Sequence, residues 1–124
     1  MQELADRHGR PGQIDFDLRD ITTASLPEVD LIIARDVLFH LPLAQSVPLV
    51  ERIRARCRLF LSTSFLGESE NSDIQEYLPI EGWGFYRINL NIAPFGLAEQ
   101  MEEAVREPLG AHSGKSRYAC LYAF

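Results

Sequence analysis

The feature that most constrains this chain is a short apolar run that ends abruptly in two charged residues. Asp30 is followed by Leu-Ile-Ile-Ala, without polar alternation, and Arg35 and Asp36 close the run. Short apolar runs of this kind are typical of strands that are covered on both faces. Ligands of open α/β sheets bind at the carboxyl ends of strands, so Arg35 and Asp36 mark the first candidate site.

Length and composition indicate one globular domain, residues 1–124, with 46% hydrophobic and 24% charged residues. The net charge of -6 disfavours nucleic acid as a partner, because phosphate contacts need a basic surface. No stretch approaches the ~18 apolar residues of a membrane span, and the first residues lack an apolar signal region. We therefore expect a cytoplasmic protein with no membrane partner.

The arginines, cysteines and two of the histidines receive structural explanations. Four arginines, at positions 52, 54, 56 and 58, fit the solvated end of a helix, where positive charge complements the helix dipole. Cys57 and Cys120 lie in apolar segments, so we expect buried free thiols. His8 and His112 lie far from other ligand types at metal-binding spacing, and no metal site is predicted.

Periodicity predicts a short surface helix at residues 1–8 and then a strand at residues 13–21. In this strand Ile14, Phe16 and Leu18 alternate with polar neighbours, which is typical of a sheet edge. The connection to the central strand is about six residues, shorter than a helical crossover between parallel strands. It fits either an antiparallel hairpin or an extended linker that runs back along the sheet.

The remainder of the chain alternates between helical and strand patterns. Apolar residues at helical spacing predict a helix from Leu43 to Cys57, with Pro42 and Pro48 at its start and Ser46 as its cap. The later predicted elements are a strand at 58–65, an acidic exposed loop at 67–76, a strand at 86–92, a helix at 97–107 and a strand at 117–124. The last strand is apolar on both faces, so we expect it inside the sheet.

The string FDLRDITTASLPEVDLIIARDVLFHL, residues 16–41, resembles the middle of class I S-adenosylmethionine-dependent methyltransferases. In that family an aspartate after the third strand is followed by a short linker ending in Leu-Pro and by a strand opening with Asp-Leu. The matching positions are Asp20, Leu26, Pro27, Asp30 and Leu31. The order of the later elements agrees, including a final antiparallel pair whose last strand inserts inside the sheet.

The resemblance implies an α/β fold with a partial Rossmann-like methyltransferase sheet, strands equivalent to 3, 4, 5, 6 and 7, and flanking helices. The family's glycine-rich turn after strand one and the acidic residue that ends strand two hold the methyl donor. Neither is found in this sequence, because Gly9 and Gly12 follow a predicted helix and enclose a proline. We therefore expect the C-terminal half of the fold.

The resemblance also assigns roles to four residues near the donor: Asp20, Ile21, Arg35 and Asp36. Asp20 would accept a hydrogen bond from the adenine amino group, or it caps the turn that follows it. Arg35 and Asp36 would lie where substrate and donor meet, or they form a local ion pair. His40 is the candidate general base, since its pKa suits that work, or it is a hydrogen-bonded core residue.

Further polar residues have both a functional and a structural interpretation. Asn71 and Asp73 would contact a substrate, or they belong to a solvated acidic loop. Asn89 and Asn91, with Trp83 nearby, would line a cleft or form a wet face of the sheet.

Two functional hypotheses follow. In the first, the chain is a truncated methyltransferase-like domain that does not bind the donor and serves as an interaction module or a remnant. In the second, it is a working methyltransferase completed by homodimerisation or by a separate N-terminal polypeptide that supplies S-adenosylmethionine binding. In both, residues 30–36 would leave an unpaired apolar edge, which residues 13–21 or a second molecule must cover. We predict a homodimer.

Overall fold

The computed structural model describes residues 2–72, 86–108 and 117–124, and these form a small α/β domain. Its helices and strands occur in the order α1 (Gln2–His8), β1 (Val29–Ala34), α2 (Leu43–Arg54), β2 (Cys57–Phe65), β3 (Met101–Arg106) and β4 (Arg117–Ala123). Two short 3-10 helices are η1 (Leu38–His40) and η2 (Ala98–Gln100). The predictions for α1, β1, α2, β2 and β4 are therefore confirmed.

The four strands form one mixed sheet in the order β1-β2-β4-β3. β1 runs parallel to β2, whereas β4 runs antiparallel to both β2 and β3. The last strand thus lies inside the sheet, as its two apolar faces predicted.

β1 lies at the edge of this sheet, and the prediction that it is covered on both faces is wrong. Val29, Leu31 and Ile33 are exposed, with 61% of the Ile33 surface open to solvent. Only Ala34, at the carboxyl end, is buried. Among the described residues β1 pairs with β2 alone, which explains why the other side of the strand stays open.

The predicted strand at residues 13–21 does not form. Ile14 makes an isolated antiparallel bridge with Arg10, and residues 15–20 have no regular structure. This segment forms neither the hairpin nor the cover for the β1 edge that the sequence allowed. Leu18 is 80% exposed as a result.

The first part of the chain contributes no buried side chain to the core, although Leu26 and Ile32 pack against it partly buried. None of residues 2–33, all of which the structure describes, is buried, and the first buried residue is Ala34. The core lies on one face of the sheet, where Phe60, Cys120 and Tyr122 are fully buried. α2 packs on this side with Leu49, Val50 and Ile53.

The helix α2 begins at Leu43 as predicted, but the predicted cap is wrong. Pro42 precedes the first helical residue, and Ser46 lies inside the helix instead of capping it. The Ser46 hydroxyl is buried 3.4 Å from the Tyr86 hydroxyl. Pro48 also lies within the helix rather than at its start.

The predicted strand at 86–92 does not join the sheet, although Tyr86, Ile88 and Leu90 are buried as the alternation indicated. Three backbone hydrogen bonds tie it to three different segments: Tyr86 N–H to Phe39 O, Phe65 N–H to Ile88 O and Leu97 N–H to Leu90 O, at 3.1, 2.8 and 2.9 Å. Because these partners belong to separate segments, no ladder forms.

The predicted helix at 97–107 is wrong: η2 is followed there by β3. A register irregularity between Met101 and Glu103 interrupts the alternation of β3. Met101 and Ala104 therefore both pack against the core, three positions apart. The β-bulge in β3 thus gives its core-facing residues the three-residue spacing that is typical of a helix face.

Some predictions concern residues outside the described ranges, namely Asp73, Trp83, His112 and part of the acidic loop. Within the described ranges, no helix is long and apolar enough to cross a membrane.

Candidate functional site

Asp36 forms the centre of a polar cluster at the carboxyl end of β1. Its backbone is left-handed, with φ at 57°, which asparagine and aspartate adopt more readily than other non-glycine residues. The Asp36 N–H donates to Thr63 Oγ1 at 3.0 Å, and the Thr63 hydroxyl donates back to Asp36 Oδ1 at 2.8 Å. The Thr63 side chain of β2 accepts one of these hydrogen bonds and donates the other, and together they hold the turn after β1.

Arg117, the first residue of β4, connects this turn to Glu107, which follows β3 at the opposite edge of the sheet. Its guanidinium bonds Asp36 Oδ1 through Nη2 and Glu107 Oε2 through Nε, the latter at 2.9 Å. Arg35 Nε donates to the second oxygen of Glu107, Oε1, at 3.2 Å. Arg35 and Asp36 each pair with a distant residue, so the expected local ion pair between them is not formed.

The cluster is electrically balanced, with two arginines and two carboxylates. Burial raises the pKa of Asp36, but the hydrogen bonds from Thr63 and Arg117 outweigh it, so the pKa lies below its ordinary value. Burial lowers the pKa of Arg117, but Asp36 and Glu107 raise it further than burial lowers it. Both groups stay charged at neutral pH. Arg117 also lies 5.9 Å from the centre of the Phe39 ring.

Asp20 lies in a separate turn and caps it. Asp20 Oδ1 accepts hydrogen bonds from the Thr22 hydroxyl at 2.7 Å and from the Thr22 N–H at 2.9 Å. These bonds lower the pKa of Asp20, with a smaller contribution from the charge of Arg52. The structural role that the sequence offered for Asp20 is therefore observed.

Arg52 holds this turn against the end of α2. Its guanidinium donates to the carbonyl oxygens of Ile21, Thr22 and Ala24 at 2.7, 3.1 and 2.9 Å. Ile21 therefore contributes a backbone acceptor to this turn. The interpretation of the four arginines as a solvated helix end is wrong for Arg52.

The residues predicted to meet at the donor thus fall into two clusters. Asp20 and Ile21 belong to the turn held by Arg52, and Arg35 and Asp36 belong to the cluster around Arg117. Among the described residues, no hydrogen bond or ion pair links the two. Sequence reasoning missed Thr63, Glu107 and Arg117; their only signal was polarity at strand ends.

His40 ends η1 and is half-buried. Its ring lies 4.5 Å from the Phe39 ring, centre to centre. Phe39 also lies near Arg117 of the carboxyl-end cluster.

The asparagines predicted to contact a substrate or line a cleft make hydrogen bonds within the fold. The Asn71 amide donates to the carbonyls of Asn89 and Ala93 at 2.8 and 2.9 Å. Asn89 is buried and donates to the Glu68 carbonyl at 2.9 Å. Asn91 accepts from the Tyr122 hydroxyl at 2.9 Å. These hydrogen bonds connect the loop after β2 with residues 89–93, and residues 89–93 with β4.

A surface depression of about 420 Å³ lies at the opposite end of the parallel strands, lined by residues 28–30 and 55–58. It is edged by two loose ion pairs, Arg56 with Glu28 at 3.6 Å and Arg58 with Asp30 at 3.7 Å. Its charges pair with each other at the surface, and no buried polar group points into it. We therefore place the candidate site at the carboxyl ends.

Neither metal nor thiol chemistry is favoured. Over the described ranges, no three His, Cys, Asp or Glu side chains form a group that could hold a metal ion. Cys57 and Cys120 are buried and free, as predicted. Burial raises the pKa of both thiols, that of Cys120 to about 11, and so keeps them protonated at neutral pH.

No protein-family model matches this chain, and no curated protein matches it. Its function is therefore argued from the residues and contacts above.

Proposed function

We propose that this chain is a methyltransferase-like half domain that acts as an interaction module, or persists as a remnant, and does not bind the methyl donor by itself. The observation that carries the proposal is the strand order β1-β2-β4-β3 with an antiparallel, interior last strand. The resemblance implies this arrangement for the strands equivalent to 4, 5, 7 and 6. Three of the five expected strands, those that became β1, β2 and β4, form as predicted. The segment expected as strand 3 adopts no strand, and the place of strand 6 in the sheet is taken by β3, in a segment predicted as a helix.

The described residues do not by themselves fit S-adenosylmethionine. Asp20 Oδ1 is already bonded to Thr22, and Asp36 is bonded to Thr63 and Arg117. The polar groups at the carboxyl ends thus satisfy one another. A donor would have to break these contacts without the glycine-rich turn that normally receives it.

A second candidate function is a methyltransferase completed by another polypeptide segment or a second copy. Asp20 favours it, because its carboxylate is exposed and only Oδ1 accepts a hydrogen bond among the described residues. The outer edge of β1 is also open to the strand that would bring the missing half. S-adenosylmethionine would then bind only after that half is supplied.

Titration calorimetry with S-adenosylmethionine and its demethylated product tests the proposal. We expect no saturable heat for the chain alone, and a micromolar dissociation constant would contradict the proposal. The matched control is Asp20→Asn, which keeps an acceptor oxygen for Thr22 but removes the charge. Binding that appears only with a complementary half and weakens in Asp20→Asn would support the second function.

A further inference from the structure

The segment from Ile14 to Arg19, called here the arm, has the sequence of a strand, but among the described residues its pairing is limited to the bridge between Ile14 and Arg10. Ile14, Phe16 and Leu18 are apolar, while Asp15, Asp17 and Arg19 alternate with them. No residue of the arm is buried, and Leu18 is 80% exposed. An exposed segment of alternating pattern can add to a free sheet edge through its backbone.

The outer edge of β1 offers such a site. Val29 donates its N–H to Arg56 O, toward β2. By the alternation of a strand, Asp30 and Ile32 turn their backbone groups to the free edge. Leu31 and Ile33 lie on the open face of the sheet and are 41% and 61% exposed.

One antiparallel register matches the arm to this edge in both polarity and charge. With Leu18 opposite Leu31, Phe16 falls opposite Ile33, so the apolar residues of both strands share the open face. Arg19 then falls opposite Asp30. The parallel registers that place Leu18 opposite Ile33 or Leu31 bring Asp15 or Asp17 opposite Asp30, where like charges repel.

Existing ion pairs do not oppose this register. Arg19 is paired with Asp17, and Asp30 lies 3.7 Å from Arg58, with side chains exposed in both pairs. Exposed pairs of this kind contribute little and exchange readily.

The arm does not reach the edge of its own chain in the described fold. Arg52 holds the carbonyls of residues 21, 22 and 24 against α2, between the arm and β1. With this turn in place, the arm and β1 of one chain form no ladder. A second copy carries the same free arm and the same free edge.

We propose that two copies exchange arms: the arm of each copy adds as an antiparallel strand to β1 of the other. The exchange is reciprocal, so it gives an isologous dimer with two-fold symmetry. The inference rests on the proposed role of the chain as an interaction module and not on donor binding. Donor binding by the chain alone would contradict the proposed function, whereas the absence of a dimer would contradict arm exchange, so the two failures are distinguishable.

Disulfide cross-linking between two different variants tests the register. Leu18 and Leu31 would form a pair that is not hydrogen-bonded, where the two Cα atoms lie about 4.5 Å apart, within disulfide reach. We mix Leu18→Cys protein with Leu31→Cys protein under mild oxidation. We expect a linked species of twice the 14.1 kDa chain mass. The control mixes Ile14→Cys protein with Leu31→Cys protein, because residue 14 lies on the same face of the arm as residue 18 but is not opposite residue 31 in the proposed register.

Equal linking in both mixtures, or none, would overturn the proposal. So would an intramolecular disulfide in the Leu18→Cys, Leu31→Cys double variant, because the arm would then pair with its own chain. Leu18→Cys alone controls for links to the native thiols.

Sedimentation velocity measures the association without cross-linking. We expect the wild-type chain to dimerise as its concentration rises, and Leu18→Asp to raise the dissociation constant at least tenfold. Val105→Asp is the matched control, because Val105 is exposed on β3, at the other edge of the sheet. A 14 kDa species across the micromolar range, or equal effects of the two variants, would contradict arm exchange.

Discussion

Asp36 has a strained backbone, and its carboxylate is hydrogen-bonded to residues that are far away in the sequence. Its left-handed φ costs free energy in most residues, and the contacts with Thr63 and Arg117 hold it in place. The carboxylate therefore stabilises the turn only while it is ionised. A folded-state pKa below the unfolded value means that this stabilisation is present above about pH 4 and is lost as pH falls through the lowered folded pKa.

Asp36→Asn tests this dependence, since asparagine tolerates the left-handed backbone. Because 42% of the Asp36 side chain is exposed, solvent screening limits the expected loss in unfolding free energy to about 0.5 to 1 kcal/mol at pH 7. The difference from wild type should shrink as pH falls below about 4. Urea unfolding at several pH values measures it. A difference that does not depend on pH would contradict the assigned role of the charge.

Arg117 has a larger expected effect because it is 12% exposed and its partner Glu107 is 13% exposed. In Arg117→Gln, Asp36 and the partly buried Glu107 both lose the Arg117 cation, while Glu107 keeps its bond from Arg35. We expect a loss of about 2 kcal/mol in unfolding free energy, measured by urea denaturation. The exposed Arg35→Gln should change it by less than about 0.5 kcal/mol. Equal losses in the two variants would contradict this ranking.

At the scale of elements, α2 does more than cover the sheet, because its last turn carries Arg52. Three carbonyls accept from one guanidinium, a geometry that a lysine ammonium does not reproduce. The helix end thus orders the turn after Asp20, which contributes no buried residue.

Arg52→Lys should therefore increase protease cleavage between residues 19 and 25 several-fold, although the charge is kept. Arg54→Lys is the matched control, because Arg54 lies over the Phe124 ring, 5.5 Å from its centre, and bonds no part of that turn. Limited proteolysis followed by mass spectrometry locates the cuts. Equal cleavage of the two variants would mean that the charge of Arg52 alone suffices.

Sequence patterns predicted those strands and helices whose type follows from the apolar or polar character of their own side chains. The two apolar faces of β4 reflect its packing inside the sheet, which was predictable. The apolar run of β1 predicted a strand, but three of its apolar residues are exposed. The hydrogen-bond partners of the backbone were harder to predict. Residues 86–92 have the pattern of a strand, yet their backbone hydrogen bonds go to three different segments. In β3, one bulge turned a strand pattern into apparent helical spacing.

The candidate site was predictable only in part. Asp36 was found because it follows an apolar strand, and strand ends collect ligands. Arg117 lies 81 residues further along the chain, and only the insertion of β4 beside β2 brings the two together. No local pattern encodes such a contact. Asp20 was identified, but its structural role, which the sequence had offered as the alternative, is the one observed.

At the scale of the whole molecule, the chain is asymmetric. Residues 34–124 include every buried side chain that the structure describes, whereas residues 2–33 include none. The exposed arm and the free β1 edge lie in this first part, beside a core that is otherwise complete on one face of the sheet. This asymmetry supports the proposal of an interaction module that works by adding a strand.

Hydrogen exchange at increasing protein concentration tests this central claim most directly. β1 pairs on one side only, so the Asp30 and Ile32 amides should exchange fast in dilute protein and slow at least tenfold as the edge is filled. The Phe60 and Leu61 amides of the interior strand β2 should stay protected throughout. Strong protection of β1 that is independent of concentration would contradict the account, because the edge would then need no partner.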